Sequence, residues 1–136
     1  MSNWFLPAFV ALICWGIWGF IPKMTIQYIN PMSALVFEAI GVIIAGLIVL
    51  SLLGFRPEVH PKGIALAIFT GVIGMTGALG FLTAVKTGKV SMVAMVTAMA
   101  PIVTILLAYF LLGERITFKE GLGIVFAFAA ISLFVI

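Results

Sequence analysis

Five stretches of the chain are apolar almost without interruption, and none alternates polar with apolar positions. They cover residues 4–22, 32–53, 63–85, 90–112 and 118–136. Each matches the ~20 residues that a helix needs to cross a hydrocarbon core of ~30 Å. A membrane β-barrel would instead alternate over segments of ~10 residues, so strands are not expected. The pattern predicts an all-α integral membrane protein of five transmembrane helices, with residues 1–136 forming a single transmembrane domain.

The joints are short. The first, 23–31, holds Lys23, Asn30 and Pro31, and Pro31 suits a helix start. The second, 54–62, reads GFRPEVHPK and holds two prolines and most of the local charge. KTGK at 86–89 is a tight turn, and GERIT at 113–117 is the last joint. No joint is long enough for a linker or a second domain, and no tandem repeat is visible. The beginning of the chain lacks a basic segment and a small-residue cleavage site, so no cleavable signal is expected.

Composition narrows the class further. Of 136 residues, 65% are hydrophobic and 8% charged, and the mean hydropathy is +1.38. A soluble domain carries about 45–50% apolar and about 25% charged residues. A soluble enzyme, a nucleic-acid binder and a disordered tail are therefore excluded. The net charge of +3 comes from seven Lys/Arg against four Asp/Glu. These few cations lie between apolar runs and read as topology signals. With a lone Cys14, one His and no Asp, the chain has no intrachain disulfide or metal-ligand cluster to offer. Neither a cofactor nor enzymatic chemistry is expected.

Five crossings put the termini on opposite sides. The side of the N-terminus then carries Arg56, Lys62, Arg115 and Lys119, and the other carries Lys23, Lys86 and Lys89, four cations against three. The positive-inside rule needs an excess on one side, and a difference of one is nearly none. Two expectations stay open. The N-terminal side is cytoplasmic, set weakly by the extra charge, or copies insert both ways. Many transporters are built from inverted-topology repeats, and an unrepeated five-helix unit looks like one half of such a protein.

Glu38 is the only acid inside an apolar segment. It lies six residues into the second run, about 9 Å below its end at 1.5 Å per residue. A carboxylate at the centre of a span costs about 2.5–3.5 kcal/mol on insertion scales, which makes it a functional candidate. The plainer alternative is a protonated Glu38, or one paired with Lys23 or Lys86. Those two lysines and Lys89 sit at helix ends on one side, where lysine ordinarily snorkels to headgroups. Their functional alternative is a cationic mouth above Glu38.

Pro101 falls at the centre of the fourth run and removes the donor that the Thr97 carbonyl would receive. Thr97, Pro101, Thr104 and Ala108 share a face, small and mildly polar. Broken helices near the midplane often build transporter sites, and simple kinked packing is the alternative. Trp15 and Trp18 share a face of the first run and could stack an organic substrate or form an aromatic belt. Gly71, Gly74, Gly77 and Gly80 recur every third residue, and Gly121 and Gly123 open the fifth run. Small residues of this kind serve close helix packing.

The stretch 84–132 resembles the EamA domain of the drug/metabolite transporter superfamily in its half-length, five-helix form. The resemblance rests on Ala84, Ser91, the mid-helix Pro101, Thr104 to Ala108, Gly113-Glu114-Arg115-Ile116-Thr117 and Leu122-Gly123. Trp15-Gly16 with Lys23 is similar to the start of the family's first helix, so the resemblance covers nearly the whole chain. It implies a secondary transporter of small organic metabolites or drugs, commonly an exporter. Transport would run by alternating access between two inverted five-helix halves. With the charge tie, it implies an antiparallel, dual-topology homodimer of ten helices in the cytoplasmic membrane. Its partners would be a second copy of itself, the lipid bilayer and a small organic substrate, with protons as a candidate coupling ion. Relatives often carry Arg near the position of Glu38, so the substrate class does not carry over. Glu38 and the tryptophans suit an organic cation, and the lysines suit a carboxylate or phosphate. A non-transporting accessory or assembly subunit is the rival class.

Overall fold

The computed structural model describes the backbone of residues 4–135 and the side chains of residues 4–133. Six α-helices follow one another: α1 (Phe5–Thr25), α2 (Pro31–Leu52), α3 (Pro61–Thr87), α4 (Val90–Thr97), α5 (Ala100–Leu107) and α6 (Phe118–Val135). A π-helical turn, Ala108–Leu112, extends α5. Among the described residues there is no strand. Four spans are long and apolar enough to cross a membrane: Phe5–Thr25, Pro31–Leu52, Pro61–Thr87 and Val90–Leu112. The remaining helix, α6, has 18 residues, and the expected end at Ile136 lies outside the described residues.

The chain forms two compact units, Met1–Thr87 and Gly88–Ile136. In the first, α3 packs against both α1 and α2. Its buried residues are Pro22, Pro31, Ala34, Ala78, Phe81, Leu82 and Val85. All lie near the end of α1, the start of α2 or the end of α3. Elsewhere large apolar side chains are open, as at Leu47, Leu52 and Leu66. A soluble protein rarely leaves apolar patches of this extent uncovered. Lipid tails are as apolar as leucine, so a membrane-spanning helix has no such constraint.

Local chemistry sets the helix ends. Asn30 caps α2, its Oδ1 accepting the Ser33 N–H at 2.9 Å, with Pro31 in the first turn. At the other end Gly54 adopts φ 60°. There the Phe55 N–H reaches the Leu50 carbonyl and the Gly54 N–H reaches that of Ser51, each at 3.0 Å. This doubly bonded ending needs a left-handed residue, which glycine supplies without steric cost.

Two boundaries move from their expected places. Helix α1 continues through Pro22 to Thr25, so Lys23 stands in its last turn rather than in a joint. Helix α3 runs to Thr87, which puts Lys86 in its last turn and leaves only Gly88 and Lys89 as the turn. Both lysines thus sit where the negative end of a helix dipole favours a cation. At ~1.5 Å per residue, 27 residues make α3 about 40 Å long. That exceeds a ~30 Å core, so α3 must tilt or project.

The second unit refines a further expectation. Residues 90–112 form one apolar span, interrupted near Pro101 by a turn whose backbone stays in the right-handed helical region. They break at Ala98 and Met99, between α4 and α5. Pro101 has no N–H for the Thr97 carbonyl and its ring crowds that oxygen. The helix therefore restarts with the proline in its first turn, where no N–H is needed. The π turn ends at Gly113, φ 68°, and the Glu114 N–H lies 3.3 Å from the Ala108 carbonyl. Helix α6, which packs against α4, opens with a reciprocal cap. The Thr117 N–H donates to Glu120 Oε2 at 2.7 Å, and the Glu120 N–H to Thr117 Oγ1 at 3.4 Å.

Candidate functional site

In the first unit the site begins where α1 meets α3. The rings of Trp18 and Phe81 lie 5.4 Å apart at 40°. A Cβ placed on Gly19 would sit 4.0 Å from Phe81 Cζ. One turn on, Lys23 Nζ donates to the Val85 carbonyl at 2.6 Å. That oxygen is among the last four of α3, which have no partner within their own helix. A cation from α1 therefore caps the C-terminal end of α3. Trp15, on the face expected to pair with Trp18, remains 73% exposed.

Between α2 and α3 runs an open groove of about 470 Å³. Leu35 of α2 forms one wall. The other is a stripe of α3 made of Ile68, Gly71, Val72, Met75, Thr76 and Leu79. The Thr76 hydroxyl donates to the Val72 carbonyl at 2.9 Å, so its lone pairs alone stay available. Glu38 is half-buried and stands three residues beyond Leu35. Residues so spaced are neighbours on a helix surface, but Glu38 is not among the residues that line the groove. Among the described residues Glu38 forms no ion pair with Lys23 or Lys86.

The glycines of α3 do not make one face. Each three-residue step turns the helix by 300°, so Gly71 and Gly80 point to opposite sides. A Cβ built on Gly71, Gly74, Gly77, Gly80, Gly121 or Gly123 meets nothing within 4 Å. Gly71 alone of these lines the groove.

In the second unit Thr97, Pro101 and Thr104 are all exposed. Thr97 Oγ1 lies 3.1 Å from the Val93 carbonyl and 3.0 Å from that of Ala94. Thr104 Oγ1 donates to the Ala100 carbonyl at 3.3 Å. Both hydroxyls therefore spend their proton on their own helix, and the break leaves the Thr97 carbonyl without a Pro101 donor. This face offers acceptors. Lys89 belongs to this unit and immediately precedes α4.

A family model of EamA-like transporters matches residues 2–136. The chain belongs to the EamA-like transporter family. Its four long apolar spans make this EamA-like chain a multi-pass membrane protein. No curated protein and no solved structure gives a match. Within the EamA-like frame, the groove is the feature that reading the residues one by one missed. Its signal is present in α3, where positions 68, 71, 72, 75, 76 and 79 follow the three-and-four spacing of one helical stripe. An almost wholly apolar background hides that stripe.

Proposed function

We propose that this protein is a secondary transporter that moves small organic solutes across the cytoplasmic membrane by alternating access. The working unit is an antiparallel homodimer of chains inserted in both orientations, each with α6 as its fifth span. The observation that carries this reading is the nearly even supply of Lys and Arg in the joints, which five crossings would divide four to three between the two sides. Membership of the EamA-like family supports transport. The uncovered apolar length of the helices leaves room for a second copy beside lipid. Glu38, Trp15, Trp18, Thr97, Pro101 and Thr104 are the residues assigned to substrate and coupling. Lys23, Lys86 and Lys89 belong to the mouth, with Lys23 already engaged by Val85.

The experiment is an orientation assay. With Cys14 replaced, a cysteine is placed near Arg56 or at Gly88 and labelled from each side of the membrane. Labelling from both sides is expected for each position. Removing Lys86 and Lys89 together biases the population, and adding two lysines to that turn biases it the other way. A single orientation, or a parallel dimer, overturns the dual-topology reading. A monomer bound tightly to a different chain favours an accessory subunit instead.

A further inference from the structure

We infer that His60 is a pH-sensitive latch: its neutral imidazole caps α3, and protonation releases the first turn of that helix into the α2–α3 joint.

His60 immediately precedes Pro61, the first residue of α3. Its carbonyl accepts the Ile64 N–H at 2.9 Å, and its Nδ1 accepts the Gly63 N–H at 3.3 Å. A Cβ built on Gly63 would lie 3.8 Å from His60 Cβ and 3.9 Å from Nδ1, so the ring folds back over the turn that it caps. A helix start leaves its first N–H groups without intrahelical partners, and Pro61 has no N–H at all. His60 thus serves Gly63 through its ring and Ile64 through its carbonyl.

An imidazole whose Nδ1 accepts carries its one ring proton on Nε2. Protonation turns Nδ1 into a donor, and two donors then face each other. It also sets a positive charge at the positive end of the α3 dipole. The first turn of α3 carries no acid to offset that charge, and Lys62 within it adds a second cation. In the joint Arg56 opposes the charge as well, and Glu58 is the one acid that attracts it. The end of α2, Ser51 to Leu53, brings no charged group. His60 is exposed, so protons reach it directly from water. Proton and cap compete for one lone pair; the first turn is therefore held at high pH and freed at low pH. Histidine is the side chain whose charge ordinarily changes between about pH 5 and 8.

The place of the latch gives its release a consequence. The buried residues of α2 and α3 lie at their far ends, at Pro31 and Ala34 and from Ala78 to Val85. Beside the joint, Leu52, Leu53, Ile64 and Leu66 are all exposed. The covalent joint is thus the main tether between the two helices at that end. Pro61, Lys62 and Gly63 rise ~1.5 Å each in a helix and up to ~3.3 Å each when extended, so their release lengthens the tether by up to about 5 Å.

The test is amide exchange, read by NMR on the full chain in phosphatidylcholine nanodiscs at about pH 5 and about pH 8. Protection factors divide out the intrinsic pH dependence of exchange. The Ser33 amide, capped by the non-titrating Asn30, is the internal reference. Relative to Ser33, protection of Gly63 should fall about fivefold or more on acidification, the usual worth of a helix cap. His60→Asn keeps an acceptor that does not titrate and should hold Gly63 protected at both pH values. His60→Ala should leave Gly63 unprotected at both, and Glu58→Gln should leave the pH response in place. Nitroxides on Leu52→Cys and Leu66→Cys read the tether, with Cys14 changed to Ala and labelled chains diluted in unlabelled ones. Their distance distribution should broaden or lengthen at low pH in the parent and not in His60→Asn. Gly63 protection that ignores pH, a pH response that survives in His60→Asn, or label distances that stay fixed on acidification each overturn the inference. A response lost in Glu58→Gln also overturns it, and assigns the pH dependence to that carboxylate.

Discussion

Lys23 Nζ sits 2.6 Å from the carbonyl oxygen of Val85, a residue 62 positions further along the chain. The bond fastens the last turn of α1 to the last turn of α3. The acceptor residue is fully buried, and its carbonyl lies at the negative end of the α3 dipole. Replacing Lys23 by Met keeps most of the aliphatic stem and removes the donor. The expected cost is about 1.5–3 kcal/mol, the worth of a hydrogen bond to a charged group. Thermal unfolding in detergent measures it, and Lys23→Arg should recover part of the loss.

Because Lys23 is held by Val85, Glu38 and Lys23 should behave as independent sites. Glu38→Gln should leave stability within about 0.5 kcal/mol of the parent, as for substitutions that break no partner contact. It should also abolish pH-driven uptake in reconstituted vesicles, since no other acid lies in the long spans. A large destabilisation that is rescued by a second change at Lys23 or Lys86 would show an ion pair instead. Parental uptake and pH profile in Glu38→Gln would remove its coupling role.

The break between α4 and α5 gives a directional accessibility test. With Cys14 changed to Ala, cysteines at Thr97 and Thr104 should react with water-soluble thiol reagents, and substrate should slow the reaction. Cysteines at Ile105 and Leu112 should react less. Equal inertness of all four positions would make the break a packing feature alone.

Thr117 and Glu120 each satisfy a backbone donor of the other at the start of α6. Thr117→Ala and Glu120→Ala should each loosen the first turn of α6, because each removes one half of the reciprocal cap. The double change should cost less than the sum, because each single change already dismantles the shared motif. Amide exchange in the first turn of α6 reads the effect. Additive losses would mean that the two residues act separately.

Much of this protein follows from its sequence by itself. Apolar runs of spanning length announce a membrane protein of helices, and four of the five runs recur as long spans. The start of α2 at Asn30 and Pro31 and the stop at Gly54 are written in neighbouring residues, because caps close over three to five positions. The threonine at 117 and glutamate at 120 carry the same kind of local signature. The tertiary structure decided what sits beside what. Nothing near Lys23 in the chain points to the Val85 carbonyl, and nothing near Trp18 points to Phe81. It also decided which stripe of α3 lines the groove. The physical reason is the solvent. In water an amphipathic pattern tells the inner face of a helix from the outer one. In lipid both faces are apolar, so hydrophobicity marks the span and leaves its orientation to packing and a few polar contacts.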